Sequence, residues 1–166
     1  MAPSSATERV RAALAERDLL AEIIEFPQST RTAVDAARAV GATVGQIVKS
    51  LVFAADGQPV LVLASGAHRV DPDKLARAAS ASRVEKATAE TTRSVTGFSI
   101  GGVPPVGHLT TLRVFVDQAL LQHPIVYAAA GTPHAVFAVD PKALVRVTQG
   151  EVADLAEASD AGHSGA

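Results

Sequence analysis

Lys49 and Ser50 sit inside GATVGQIVKSLVF (41–53), where a charge interrupts a run of strand-forming residues. Two glycines before a Lys-Ser pair suggest a phosphate loop, but the spacing excludes one. That loop needs Gly, four residues, then Gly-Lys-Ser/Thr opening a helix. Here Gln46, Ile47 and Val48 separate Gly45 from Lys49, and a β-branched strand follows. On a strand, Lys49 shares its face with Ile47, Leu51 and Phe53, which are expected to meet the core. A lysine there must be paired, snorkel to the rim or stand at a cavity wall, and burial would lower its pKa. Spacing alone leaves a solvent-reaching lysine and a pocket lysine both open.

The second candidate is FSIGGVPPVGH (98–108), with Gly101, Gly102, Pro104, Pro105 and Gly107 in one loop. Glycine lets backbone approach a ligand closely and proline stiffens the chain, which suits backbone donors aimed at a carbonyl or phosphate. A tight helix-to-strand connection would have the same composition. Other chemistry is thinly supported. His68, His108, His123, His134 and His163 form no i,i+4 pair and no H-x-E spacing, so no metal site is expected. LASGA around Ser65 lacks the G-x-S-x-G elbow. Asp71, Asp73 and Asp140 read as helix starts rather than paired catalytic carboxylates. With no cysteine, disulfides, thiolate metal sites and a cysteine nucleophile are excluded.

These residues need a scaffold. A helix is expected over 6–20, where Val10, Ala13, Leu14 and Arg17 share helical spacing. EIIEF (22–26) reads as a short strand. Thr32 and Asp35 mark the start of a second helix that Gly41 ends. QIVKSLVFAADGQPVLVLAS reads as two strands joined at Asp56-Gly57. Asp71-Pro72 and Asp140-Pro141 each start a helix, and 89–97 reads as another. LRVFV, PIVYAAAG and HAVFAV read as strands, VRV (145–147) as a last short strand, and EVADLAEA as a closing helix. Strands with short links and interspersed helices indicate an α+β or mixed α/β domain over 6–157, with frayed ends at 1–5 and 158–166.

The 166 residues are 48% hydrophobic and 19% charged, which fits a globular chain. No apolar run approaches the ~20 residues that cross a bilayer, and the first residues lack a secretory signal. A cytoplasmic protein is expected. A net charge of −2, one Tyr and no Trp offer neither a global attraction to polyanions nor stacking platforms, so any RNA partner needs a local patch.

TAVDAARAVGATVGQIVKSLVF, PVLVLASGAHRVDPDKLA, TGFSIGGVPPVGH, VFVDQALL and VYAAAGTP occur in that order. Together they resemble the YbaK family of prolyl-tRNA synthetase-associated editing domains, over about residues 22 to 150. The resemblance implies a single α/β domain with a mixed, barrel-like sheet flanked by helices. It implies a free-standing trans-editing deacylase that hydrolyses the ester of a mischarged tRNA, most often tRNA for proline carrying Ala, Cys or Ser. Its partners would be the aminoacyl-tRNA acceptor end and prolyl-tRNA synthetase, with no DNA, membrane, metal or cofactor. By position, Lys49 matches the family's strand lysine, and Gly101, Gly102 and Pro105 fall in its G-x-x-x-P loop. Thr30, Thr32, Ser50, Ser65, Gly66, Gly131 and His134 are weaker substrate-binding candidates. Lys49 is expected to face the 101–105 loop across a cleft. The alternative is a non-catalytic module binding a small ligand or a tRNA end on the same fold.

Overall fold

The computed structural model describes residues 5–30 and 32–158. Of the expected frayed ends, 1–4 and 159–166 lie outside the described residues. Ser5 is the N-cap of α1 (Ala6–Glu16), its hydroxyl accepting the Glu8 N–H at 3.1 Å. This helix is shorter than the expected 6–20, because Asp18 takes a left-handed φ of 62° and turns the chain away.

Helix ends follow local chemistry. Thr32 caps α2 (Ala33–Val40) and Gly41, at φ 73°, closes it. Asp71 caps α3 (Pro72–Ala79), Thr88 caps α4 (Ala89–Thr96), and Asp140 caps α5 (Pro141–Thr148). Each cap satisfies N–H groups that the first turn leaves without partners.

The strands form two sheets. The larger runs β4 (Val84–Lys86), β2 (Val48–Ala55), β3 (Gln58–Ser65), β5 (Arg113–Asp117) and β8 (Glu151–Ala153). Asp56 and Gly57, both at positive φ, make the tight turn of the β2–β3 hairpin. β5 joins β3 in parallel and β8 joins β5 in parallel. The smaller sheet is antiparallel, in the order β1 (Ile23–Glu25), β7 (Ala135–Val139), β6 (Val126–Ala129). Among the described residues a single bridge, Ile47 with Tyr127, joins them. The mixed α/β architecture is as expected, but the sheets do not close into a barrel.

The main core lies between the sheets. Val48, Val52, Leu61, Leu63 and Val116 meet Val126, Ala128 and Phe137, with Val10 and Leu14 of α1. The other face of the large sheet is also covered: Phe53, Val60, Val62 and Phe115 pack with Leu75 of α3 and with Leu155. β3 is therefore apolar on both sides, as a strand enclosed on both faces must be.

Two expectations at the C-terminal end are overturned. VRV (145–147) is not a strand but the last part of α5, where Leu144 and Val147 pack inward at helical spacing. EVADLAEA is not a helix: it begins with β8, which takes the free edge of β5. Arg113 and Glu151 pair across that edge, and the buried Asp117 carboxylate accepts the Leu155 N–H at 3.0 Å. These partners lie more than thirty residues upstream and outweigh local helix propensity.

Candidate active site

β2 is fully paired with β3 on one side, but its other edge is shared. β6 bridges to the chain only at Ile47, the residue before β2, and β4 pairs with β2 only at Phe53–Ala55. The sheets part between these points. A cavity of about 160 Å³ fills the opening, with Lys49 and Ser50 on one wall and Ile100, Gly101 and Val103 on another.

Alternation along β2 sends its two polar side chains to opposite faces. Lys49 pairs with Ala64 on the face covered by α3, and its half-buried ammonium donates to the His68 carbonyl at 2.5 Å. Burial holds its pKa below the ordinary lysine value, and the nearby charges of Lys86 and Arg69 add to the shift. Ser50 pairs with Leu63 on the main-core face. Its Oγ is buried and has no hydrogen-bond partner in the protein. The Val52 carbonyl accepts the Ala87 N–H, so the two-residue period turns the backbone of Ser50 to the same open edge.

An unsatisfied buried hydroxyl lowers stability and calls for a ligand or a functional reason. Ser50→Ala is expected to raise the stability of the ligand-free protein by about 1 kcal/mol while lowering kcat/KM. A melting curve and a kinetic measurement on one preparation check both. A loss of stability would show the hydroxyl to be structural.

The loop at 98–108 is held from several sides. The Phe98 N–H donates to Thr96 Oγ1 at 3.0 Å, and Arg9 stacks on the Phe98 ring at 4.7 Å. The Gly102 N–H donates to the Ser99 carbonyl at 2.9 Å. His108 Nε2 lies 2.7 Å from the Pro104 carbonyl, which can only accept, so that nitrogen carries the proton. Burial holds the His108 pKa below the ordinary histidine value, against the raising effect of that bond. Among the described residues the N–H groups of Gly101 and Val103 have no backbone or side-chain acceptor, and both residues line the cavity. A stiff loop with two uncommitted donors at a cavity wall suits a developing oxyanion.

The cavity thus gathers Lys49, Ser50, Gly101, Thr30 and Thr32. The two threonines also have structural bonds: Thr30 Oγ1 donates to the Pro133 carbonyl at 2.7 Å, and Thr32 caps α2. The other sequence candidates stand outside the cavity lining. Gly102 packs its Cα against Thr132, and Pro105 faces a separate groove beside His108. Ser65 Oγ donates to the Gly45 carbonyl and accepts the Ala67 N–H, while Gly66 packs under Val44 and Ala33. Gly131, at φ 102°, lies against Ala6, and His134 is exposed at the start of β7. Val103 lies in the 101–105 loop already singled out, whereas sequence reasoning missed Lys86, Thr92 and Tyr127 as cavity residues. None stands in a polar motif, so only the crossing of elements reveals them.

Residues 27–147 match the family model of the aminoacyl-tRNA editing domain. A crystal structure of a candidate trans-editing enzyme for prolyl tRNA synthetase superposes with a TM-score of 0.89 at 48% identity, covering 95% of this chain and all of that one. The uncharacterised protein YwhH of Bacillus subtilis (strain 168) is 30% identical over 74% of this chain and 78% of its own. The proline–tRNA ligase of Elusimicrobium minutum (strain Pei191) is 42% identical over 52% of this chain, a stretch spanning only 15% of the ligase. Among the described residues no helix is long and apolar enough to cross a membrane. The chain belongs to the aminoacyl-tRNA editing domain family.

Proposed function

We propose that the protein acts in trans on tRNA for proline and removes a small non-cognate amino acid: alanine, cysteine or serine. The observation that carries this reading is the small cavity with a held cation on one wall and uncommitted loop N–H groups on another. A cavity of about 150 Å³ accepts a group of benzene size, so a small aminoacyl group enters and the large aromatic ones do not. The relatives support the tRNA: one is a proline–tRNA ligase, and one solved structure is a candidate trans-editing enzyme for prolyl tRNA synthetase. On this reading prolyl-tRNA synthetase supplies the mischarged substrate.

The ester is already activated, so placing it accounts for most of the catalysis. The N–H groups of Gly101 and Val103 receive the carbonyl oxygen as it gains charge. Lys49 acts as a fixed cation for the carbonyl or the adjoining phosphate. A water molecule, oriented by a neighbouring ribose hydroxyl, adds to the carbonyl carbon and gives up a proton, and the ester bond breaks with its electron pair and that proton going to the ribose oxygen, which releases the free amino acid. Ser50 is not the nucleophile, since no base is bonded to its hydroxyl. Pocket fit supplies only ~1–3 kcal/mol per methylene, so selectivity is graded among small side chains.

The test is single-turnover deacylation of Ala-, Cys-, Ser- and Pro-tRNA for proline. Release from at least one of the first three, with Pro-tRNA spared, is the expected result. No release from any mischarged species sinks the reading.

A further inference from the structure

We propose that Lys86 and Arg69, beside Lys49, form a binding site for a phosphodiester of the substrate RNA at the mouth of the cavity. The proposal rests on the deacylase reading and extends it to residues with no role in the loop or the aminoacyl pocket.

The placement follows from register. Lys86 pairs with Phe53, so its side chain leaves the large sheet on the face of Phe53 and Lys49, and it lines the same cavity. Arg69 directly follows His68, whose carbonyl holds the Lys49 ammonium. Lys86 thus shares the cavity wall with Lys49, and Arg69 stands one residue beyond the carbonyl that holds the Lys49 ammonium.

None of the three has an ion-pair partner among the described residues. Among the acidic residues near by, Glu157 meets Arg69 through its backbone, its N–H donating to the Arg69 carbonyl at 2.8 Å, and is in no ion pair among the described residues. Asp71 accepts the N–H groups of Asp73 and Lys74, and Glu85 pairs with Arg83. In a chain of net charge −2, Lys49 and Lys86 at the cavity, with Arg69 near Lys49, repel each other and cost stability unless an anion joins them. Backbone phosphate is the anion that an aminoacyl-tRNA presents beside its ester. With one tyrosine and no tryptophan for stacking, RNA affinity must come largely from such contacts.

The test is fluorescence anisotropy of a labelled RNA hairpin ending in unpaired CCA, titrated at several KCl concentrations. Lys86→Gln with Arg69→Gln should weaken binding roughly tenfold and flatten the salt slope by about one unit. Both side chains are exposed, so these changes remove no core contact. Lys142→Gln, the loss of one positive charge on α5 away from the cavity, should leave binding unchanged. Unaltered affinity in the double variant overturns the proposal. So does an equal loss in the Lys142 variant, or inorganic phosphate binding as tightly as the hairpin. Hydrolysis of 3′-aminoacyl-adenosine, which lacks the phosphate, is followed separately in the wild type. If that fails with every charged tRNA while the cation-dependent binding holds, the deacylase reading falls and the phosphate site stands.

Discussion

Lys49→Ala is expected to lower kcat/KM for deacylation by about 10²–10³-fold, the loss typical when one preorganised group at a developing charge is removed. The substitution takes away the cation at the cavity wall but little of the fold. It costs the hydrogen bond to the His68 carbonyl, yet it also relieves the desolvation of a half-buried ammonium and its repulsion by Lys86 and Arg69. The two effects oppose, so the melting temperature should change by only a few degrees. A large fall in both activity and stability would instead mark Lys49 as structural.

The pH dependence sharpens the same point. Lys49 serves as a cation, and its pKa in the fold is lowered, first by burial and then by Lys86 and Arg69. The active form therefore persists below that lowered value and is lost as pH rises through it, earlier than an ordinary lysine would allow. Removing a neighbouring charge with Lys86→Gln should move the alkaline limb to higher pH. The measurement is the pH profile of kcat/KM, corrected for uncatalysed ester hydrolysis. A limb that does not move places the titrating group elsewhere.

Gly102→Ala is expected to be the most damaging change in the loop. A Cβ at 102 would stand 2.7 Å from the Thr132 Cα, 2.9 Å from its carbonyl carbon and 3.0 Å from the Gly131 oxygen. All three are backbone atoms and cannot rotate aside. The turn that would have to yield is itself backed by Ala6, because Gly131 has the backbone of that residue at 2.9 Å on its own Cβ side. Overpacking of this kind costs ~1–3 kcal/mol, and a loop displaced by ~1 Å costs roughly 10²-fold in rate. Both urea denaturation and kcat/KM should respond. Gly45→Ala is the contrast: its nearest contact is the movable His123 ring at 3.3 Å. It should change stability by less than about 1 kcal/mol.

Features decided within a few residues were legible before the fold was known. Thr32, Asp71 and Asp140 could be read as caps because each bonds to N–H groups two or three residues on. Asp56-Gly57 could be read as a hairpin because positive φ at both positions is local chemistry. Two assignments near the C-terminus failed for the opposite reason. EVA (151–153) is a strand because β5 offers it an edge, and VRV is helical because Leu144 and Val147 have a core to enter.

The candidate site divides in the same way. From sequence alone, Lys49 was an anomalous charge in a strand, the 101–105 loop was stiff and permissive, and their order along the chain carried the family resemblance. Those properties belong to residue types and short spacings, and they need no knowledge of the fold. Which side chains share a wall was decided only when two sheets parted along β2 between Ile47 and Phe53. That parting leaves the Ser50 hydroxyl without a partner and brings Gly101 and Val103 to the cavity. It also gathers Lys86 and Arg69 around a lysine twenty or more residues away. Contacts at that separation depend on strand register and on the closure of long loops, which no local pattern of residues encodes.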